Sequence, residues 1–293
     1  MKPEHVDLLR QALPYINKFK GTTFIVKIGG NVAEDDKGLN SFCEEVALCA
    51  QVGIKVVMIH GGGKQASALS EKLGIEPKIV SGRRVTDDKT LDVVKMTFAG
   101  KINTEILSCL RRSGVEAVGI SGVDGGVISA RRRPPTEVRD SATGESQMVD
   151  FGHVGDIDSI DVKLLQTLLE SDFIPVVASL GADAEGNVLN INADTVASRI
   201  CEAIGAEKLI LVSDVDGILD AEGKLINRVT VPEVHDLIQS GVINGGMVPK
   251  AQAILNVLKG DVHSVHIING TKPSSLLTEI FTNTGCGTMI FRD

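Results

Sequence analysis

The sequence has no tryptophan, one tyrosine (Tyr15) and an aromatic content of only 3%. A platform for stacking bases needs rings this chain lacks, which removes single-stranded nucleic acid as a ligand class. Positive charge is also short: 30 Lys and Arg against 38 Asp and Glu leave a formal charge of −8. Such a chain repels nucleic acid and anionic membranes, so an anionic ligand requires a local basic cluster. The five cysteines, Cys43, Cys49, Cys109, Cys201 and Cys286, are scattered and lack metal-ligand spacing. A disulfide framework and a cysteine metal site are thereby excluded, and a reducing cytoplasm fits. No apolar run approaches the ~20 residues of a membrane span, and no signal-peptide pattern is present. The expectation is a cytoplasmic protein of one large domain or two lobes, with a small-molecule ligand and no metal centre of its own.

What the chain does have is glycine placed after strands. Lys55-Val56-Val57-Met58-Ile59-His60 is an apolar run of the kind buried on both faces of a sheet, and Gly61-Gly62-Gly63 follows at once. Gln65 to Leu69 then reads as a helix start. Backbone N–H groups in such a turn, beside a helix N-terminus, form a concavity for anions. A second turn, Gly29-Gly30-Asn31, ends the strand Thr22–Ile28, in which Lys27 interrupts an apolar run. A lysine buried there has to meet a carboxylate or an anionic ligand.

The remaining chain alternates. Residues 4–19 carry a helical stripe of Val6, Leu9, Leu13 and Ile16, with Pro14 inside it predicting a kink. The stripe has no evident place on a sheet, so burial against another subunit is expected. Helices are predicted over 39–52, 90–113, 161–171, 195–204 and 274–281, with strands at 117–121, 174–179, 188–193 and 209–212. Residues 126–157 read as hairpins, and Arg131-Arg132-Arg133 as a solvated edge. Asn190 and Asn192 fall on one face of a strand, and Asp194 at a helix N-cap. The histidines His263 and His266 point to opposite faces and make no metal pair. Alternating strands and helices predict an α/β fold with a mainly parallel sheet, with a lobe boundary near 180–187.

Two chemistries compete for the glycine turns. Gly61 to Ala66 formally fits a dinucleotide fingerprint, which wants an acid about twenty residues on. Ser81-Gly82-Arg83-Arg84 stands there instead, so only an NADP variant survives. Phosphoryl transfer explains more. It needs cations and N–H groups around the transferred group, and Lys27, Lys250 and the glycine turns supply them. Asp194 can orient lysines, while Arg84, Asn190 and Asn192 can hold a carboxylate and an amide.

Six motifs then stand in one order: Lys27-Ile28-Gly29-Gly30-Asn31, His60-Gly61-Gly62-Gly63, Ser81 to Thr86, Asn190 to Asp194, Ser213 to Leu219, and Gly246 to Lys250. In this the chain resembles the amino acid kinase family over nearly its whole length, in particular its arginine-sensitive, N-acetyl-L-glutamate-phosphorylating branch with an N-terminal helix. The resemblance implies an open αβα sandwich of two lobes. Residues 1–20 would be an oligomerising helix. Residues 21–185 would bind N-acetyl-L-glutamate and dimerise, and 186–293 would bind ATP with Mg2+. Lys27 and Lys250 would stabilise the transition state and Asp194 would organise them. Gly62, Gly63, Arg84, Asn190 and Asn192 would hold the acetylglutamate. Gly29, Gly30, Asp214, Gly217, Leu219, Asn244 and Gly246 would border the nucleotide.

The same resemblance implies a homo-oligomer, dimer or hexamer, and an L-arginine effector site lined by Tyr15, Lys208, Glu279 and Gly285. Three positions depart from the family's pattern: Val123 stands where it often has Lys, and Thr271 and Ser274 where arginine-inhibited members carry Arg and His. Rival readings are a kinase of the same family acting on an acylated aminoadipate derivative on a carrier, with Arg131 to Arg133 as its docking edge, and a non-catalytic effector-binding subunit.

Overall fold

In the computed structural model, which describes residues 3–30, 32, 36–80, 83–139, 146–245, 247–260 and 262–292, one eight-stranded sheet runs through both halves of the chain. Its order is Arg228–Thr230, Thr288–Phe291, Ser264–Asn269, Lys208–Ser213, Thr23–Ile28, Lys55–His60, Ile174–Ala178 and Ala117–Ser121. From Ser264–Asn269 onwards the strands are parallel; Thr288–Phe291 and its partner Arg228–Thr230 run the other way. Apart from Thr23–Ile28 itself, the strands between residues 55 and 178 lie on one side of it and those between 208 and 291 on the other. That strand, next to Lys208–Ser213, is the seam.

The continuous apolar runs are explained by cover on both faces. Side chains alternate along a strand, so Phe24, Val26 and Ile28 enter one core and Ile25 the other. The first core is closed by helices Asp36–Gln51, Asn103–Arg112 and Ser275–Phe281, through Phe42, Val46, Ile106, Leu110, Leu276 and Ile280. The second is closed by Lys163–Glu170, Ala193–Ile204 and Met247–Val257, through Leu165, Val196, Ile200 and Ile254. This is the expected three-layer αβα sandwich. A smaller four-stranded sheet, Val188–Asn190, Leu180–Ala182, Ile128–Arg132 and Gly155–Ile160, lies beside it, with hairpins Ile79–Val80/Arg83–Arg84 and Thr136–Arg139/Ser146–Val149.

Four local expectations are amended. Helix 195–204 begins at Ala193, because Asn192 and not Asp194 is its N-cap: Asn192 Oδ1 accepts from Thr195 N at 3.0 Å. Asn192 therefore sits past the strand, which ends at Asn190, and the two asparagines do not share a strand face. The helical stretch predicted over 90–113 contains a π segment, Met96–Ile102, between Asp88–Lys95 and Asn103–Arg112. The N-terminal helix, Pro3–Phe19, continues through Pro14 and does find a place on its own fold. Phe19 is buried edge-to-face on Phe24, with ring centroids 5.2 Å apart, and the Tyr15 hydroxyl donates to Asn283 Oδ1. Leu13 of the stripe stays 49% exposed.

Candidate active site

Parallel strands release their loops at one edge, and three such loops meet beside the seam. Ile28 is in register with His60 on one side and with Val212 on the other, so the turns Gly29–Gly30, Gly61–Gly63 and Ser213–Leu219 start level. Gly29 N donates to Val212 O at 2.9 Å, and a Cβ on Gly29 would stand 2.9 Å from that oxygen. The close approach requires glycine. At Gly62 a Cβ would run into Ile102 and would stand 2.9 Å from the Phe98 ring, both side chains of the π segment. At Gly63 the same atom would meet open space.

Lys27 lies on the Ile25 face of its strand, the face covered by helix Ala193–Ile204. Asp194, in that helix's first turn, therefore meets it: Nζ to Oδ1 is 2.7 Å, with both side chains largely buried. Lys250, near the start of helix Met247–Val257 on the same face, donates from Nζ to Ser213 Oγ at 2.8 Å. Burial holds the Lys250 pKa below its ordinary value; the Asp194 carboxylate opposes this, Lys27 adds to it, and Asp214 opposes it. Two ammonium groups and two carboxylates from four parts of the chain thus share one field.

Arg84 anchors a second part of the site. Its Nη2 donates to Gly63 O at 2.6 Å and to Ser67 Oγ at 2.5 Å, while its Nη1 is buried with no partner among the described residues. Burial lowers the Arg84 pKa from its usual high value. A guanidinium with one arm fixed and the other free is set to receive a carboxylate oxygen. Asn190 Nδ2 donates to Thr86 Oγ1 at 3.2 Å, leaving Asn190 Oδ1 for another donor. Asn192 is committed to its helix cap.

His60 is not a base for this site. It is 1% exposed, burial lowers its pKa to about 4, and its ring nitrogens are held by Gly61 O at 2.9 Å and Asn103 Nδ2 at 3.1 Å. It stays neutral and braces the glycine turn.

On the other side of the seam, Gly217 has φ +147° and would clash with Thr288 if it carried a Cβ; the Thr288 hydroxyl accepts from Ile218 N at 2.8 Å. Leu219 is exposed on a bridge to Leu225, and Asn244 is exposed, with Nδ2 donating to Gly241 O at 3.1 Å. Gly246 lies outside the described residues. Sequence reasoning missed Ser67, Thr86, Ser213 and Gln65 as supports, since each acts on a residue distant in sequence. Among the described residues no cluster of His, Cys, Asp and Glu could hold a metal ion.

Lys208, Glu279 and Gly285 converge elsewhere, at the opposite end of the strand that leads to Ser213. Lys208 Nζ lies 2.9 Å from His266 Nε2, and His266 Nδ1 2.6 Å from Glu279 Oε1. The other carboxylate oxygen of Glu279 accepts from Cys286 N at 2.8 Å and Gly287 N at 3.0 Å. Burial lowers the Lys208 pKa to about 8, against the pull of Glu207 and Glu279. Tyr15 joins this edge through Asn283, two residues before Gly285.

Residues 22–269 match the amino acid kinase family, and the chain belongs to it. Within it, the chain is 45% identical over 285 residues to the acetylglutamate kinase of Chromohalobacter salexigens, covering 97% of this chain and 93% of that one. It is 44% identical over 288 residues to the acetylglutamate kinase of Methanothermobacter thermautotrophicus, covering 97% and 98%. Among solved structures, an N-acetylglutamate synthase from Neisseria gonorrhoeae, complexed with coenzyme A and N-acetyl-glutamate, has a TM-score of 0.84 at 29% identity. It covers 98% of this chain, which spans 63% of the synthase. A Giardia lamblia carbamate kinase shares the fold, with a TM-score of 0.64 at 16% identity, covering 93% of this chain and 99% of that one.

Proposed function

We propose that this protein transfers the γ-phosphoryl group of ATP to the γ-carboxylate of N-acetyl-L-glutamate, forming N-acetyl-L-glutamyl 5-phosphate for arginine biosynthesis. The observation that carries the reading is the meeting of Lys27, Asp194 and Lys250 beside two glycine turns.

The nucleophile is already a carboxylate, so no general base is needed. One carboxylate oxygen attacks the γ-phosphorus as the bond to the β–γ bridging oxygen breaks, and ADP leaves with that electron pair. Charge develops on the transferred phosphoryl oxygens and on the bridging oxygen. Lys27 serves the first and Lys250 the second, with N–H groups of Gly29, Gly30, Gly62 and Gly63 around the group in flight. Asp194 holds Lys27 by a direct ion pair and opposes the burial that disfavours charge on Lys250. Arg84, through its free Nη1, takes the substrate's α-carboxylate, and Asn190 its amide.

The nucleotide falls to Asp214, Gly217, Leu219, Asn244 and Gly246, and thus to the lobe 186–293; acetylglutamate falls to 21–185. Mg2+ bound with ATP would supply positive charge against the phosphates, and Asp214, whose carboxylate acts on Lys250 alongside that of Asp194, is the residue that would face it.

The carrier-docking alternative loses its support. Arg131, Arg132 and Arg133 pair with Asp158, Asp150 and Asp156, so that edge is neutralised.

The edge formed by Tyr15, Lys208, Glu279 and Gly285 is the proposed L-arginine site, and the exposed part of the N-terminal helix the proposed contact of a hexamer built from dimers. Support for the first is the convergence of those four residues, and for the second the exposure of Leu13. A cytoplasmic location follows from the reaction. Trapping of the acyl phosphate as a hydroxamate tests the reading; an ATP-dependent product from acetylglutamate supports it, and no product overturns it.

A further inference from the structure

Gln65 is the third residue of helix Gly63–Lys72, a position from which Gln often reaches back to the helix's own N-cap. Here it does not. Its Nε2 donates 2.9 Å across to Gly30 O, in the other glycine turn. Gly30 O only accepts, so the amide orientation is fixed by chemistry: the nitrogen faces Gly30. Its Oε1 is buried, has no hydrogen-bond partner among the described residues, and lies 3.5 Å from where a Gly30 Cβ would be.

Among the described residues, the backbone pairing of the two strands stops short of the tips of their turns. Strand pairing between Thr23–Ile28 and Lys55–His60 ends at Ile28 and His60. Beyond it, Gly29 N turns away and donates to Val212 O, toward the opposite half of the sheet. Gln65 therefore closes a continuous set of contacts. Lys250 holds Ser213, whose neighbour Val212 holds Gly29; Gly30 then holds Gln65, on the helix that starts at Gly63.

We infer that Gln65 is a positioning residue for phosphoryl transfer, a strap that fixes the width of the slot between the two glycine turns. The inference rests on the phosphoryl-transfer reading above. N–H groups from both turns must converge on one set of oxygens in flight, and a misplacement of about 1 Å can cost on the order of a hundredfold in rate. Each turn keeps its own N–H groups without the strap, so binding of either substrate alone needs it little.

Gln65→Met preserves length and removes the hydrogen bond. Its kcat is expected to fall about 10–100-fold, with both KM values within about threefold of the parent. Affinity for ADP plus aluminium fluoride plus acetylglutamate, a mimic of the phosphoryl in flight, should fall by the same factor as kcat. Affinity for ADP alone and for acetylglutamate alone should not change. Gln65→Glu supplies an independent readout. As a carboxylate it repels Gly30 O; once protonated it regains a donor, so its activity relative to the parent should rise as pH falls toward about 5. Parent-like kcat in Gln65→Met would overturn the strap, as would parallel loss of all three affinities or a pH-independent deficit in Gln65→Glu. An unmodified chain that forms no acyl phosphate would instead overturn the reaction itself.

Discussion

Lys27 Nζ and Asp194 Oδ1 lie 2.7 Å apart, one from the first strand of the chain and the other from the first turn of a helix in its second half. The pair joins the two sides of the seam at the point where phosphoryl transfer is proposed. Removing the carboxylate has a signed consequence. Asp194 raises the pKa of Lys250 while burial and Lys27 lower it. Lys250 must be protonated to act, so activity falls as pH rises through its pKa. In Asp194→Asn the alkaline limb of the kcat profile should move to lower pH, and kcat should drop on the order of a hundredfold or more. An unmoved limb would remove Asp194 from the lysine field.

Arg84 separates the two substrates. Only a guanidinium can hold Gly63 O and Ser67 Oγ with one arm and offer a second to a carboxylate. Arg84→Lys should raise KM for acetylglutamate about 10–100-fold and leave KM for ATP nearly unchanged, as expected for losing a charged hydrogen bond worth about 1.5–3 kcal/mol. Equal effects on both substrates would make the arginine structural.

The two glycines of one turn should fail differently. A Cβ on Gly62 meets Ile102 and Phe98, so Gly62→Ala should lose about 1–3 kcal/mol of stability in denaturant titrations. A Cβ on Gly63 meets nothing. Gly63→Ala should keep its stability and show its cost in KM for acetylglutamate.

The cluster at the far edge should make the fold acid-labile. Burial holds the His266 pKa below its ordinary value, against the Glu279 carboxylate. Burial alone would raise the Glu279 pKa, but His266 and the N–H groups of Cys286 and Gly287 hold it low. Both depressed groups bind protons more readily in the unfolded chain, so their contribution is present above the unfolded pKa and lost as pH falls through the folded one. Stability should decline below about pH 6.5, where an unfolded histidine protonates. His266→Asn should flatten the upper part of that decline; a slope identical to the parent's would refute the assignment.

Assembly is tested at Leu13, because deleting the whole helix would also strip Phe19 from the core. The intact chain should have the mass of a hexamer in solution, and Leu13→Glu that of a dimer. An intact dimer would sink the hexamer. A hexamer whose activity ignores added arginine would keep the assembly and reject the effector.

The fold was largely legible because its signals are local. Val56 to Ile59 and Leu209 to Val212 announce strands buried on both faces, and the glycines after strands mark the active edge. Lys27 was conspicuous as a charge in an apolar run. What the sequence hid depends on side-chain reach across the fold. Asn192 and Asp194 are two residues apart, and only the start of the helix decides that the first is the cap and the second meets Lys27. The π segment has no local signature, yet it presses Phe98 and Ile102 on Gly62. Gln65 looked like an ordinary first-turn residue until Gly30 stood opposite it.

Lys27 and Lys250 stand where ATP would pass its γ-phosphoryl group directly to one carboxylate. The most direct test of that transfer is hydroxylamine trapping in the presence of ATP and Mg2+, with N-acetylglutamate, glutamate and N-acetylaminoadipate offered in parallel to the intact chain and to Lys27→Ala and Lys250→Ala. Hydroxamate is expected from N-acetylglutamate alone, with a loss on the order of a hundredfold or more in either variant. Preference for another acid, or unchanged turnover without either lysine, would contradict this assignment.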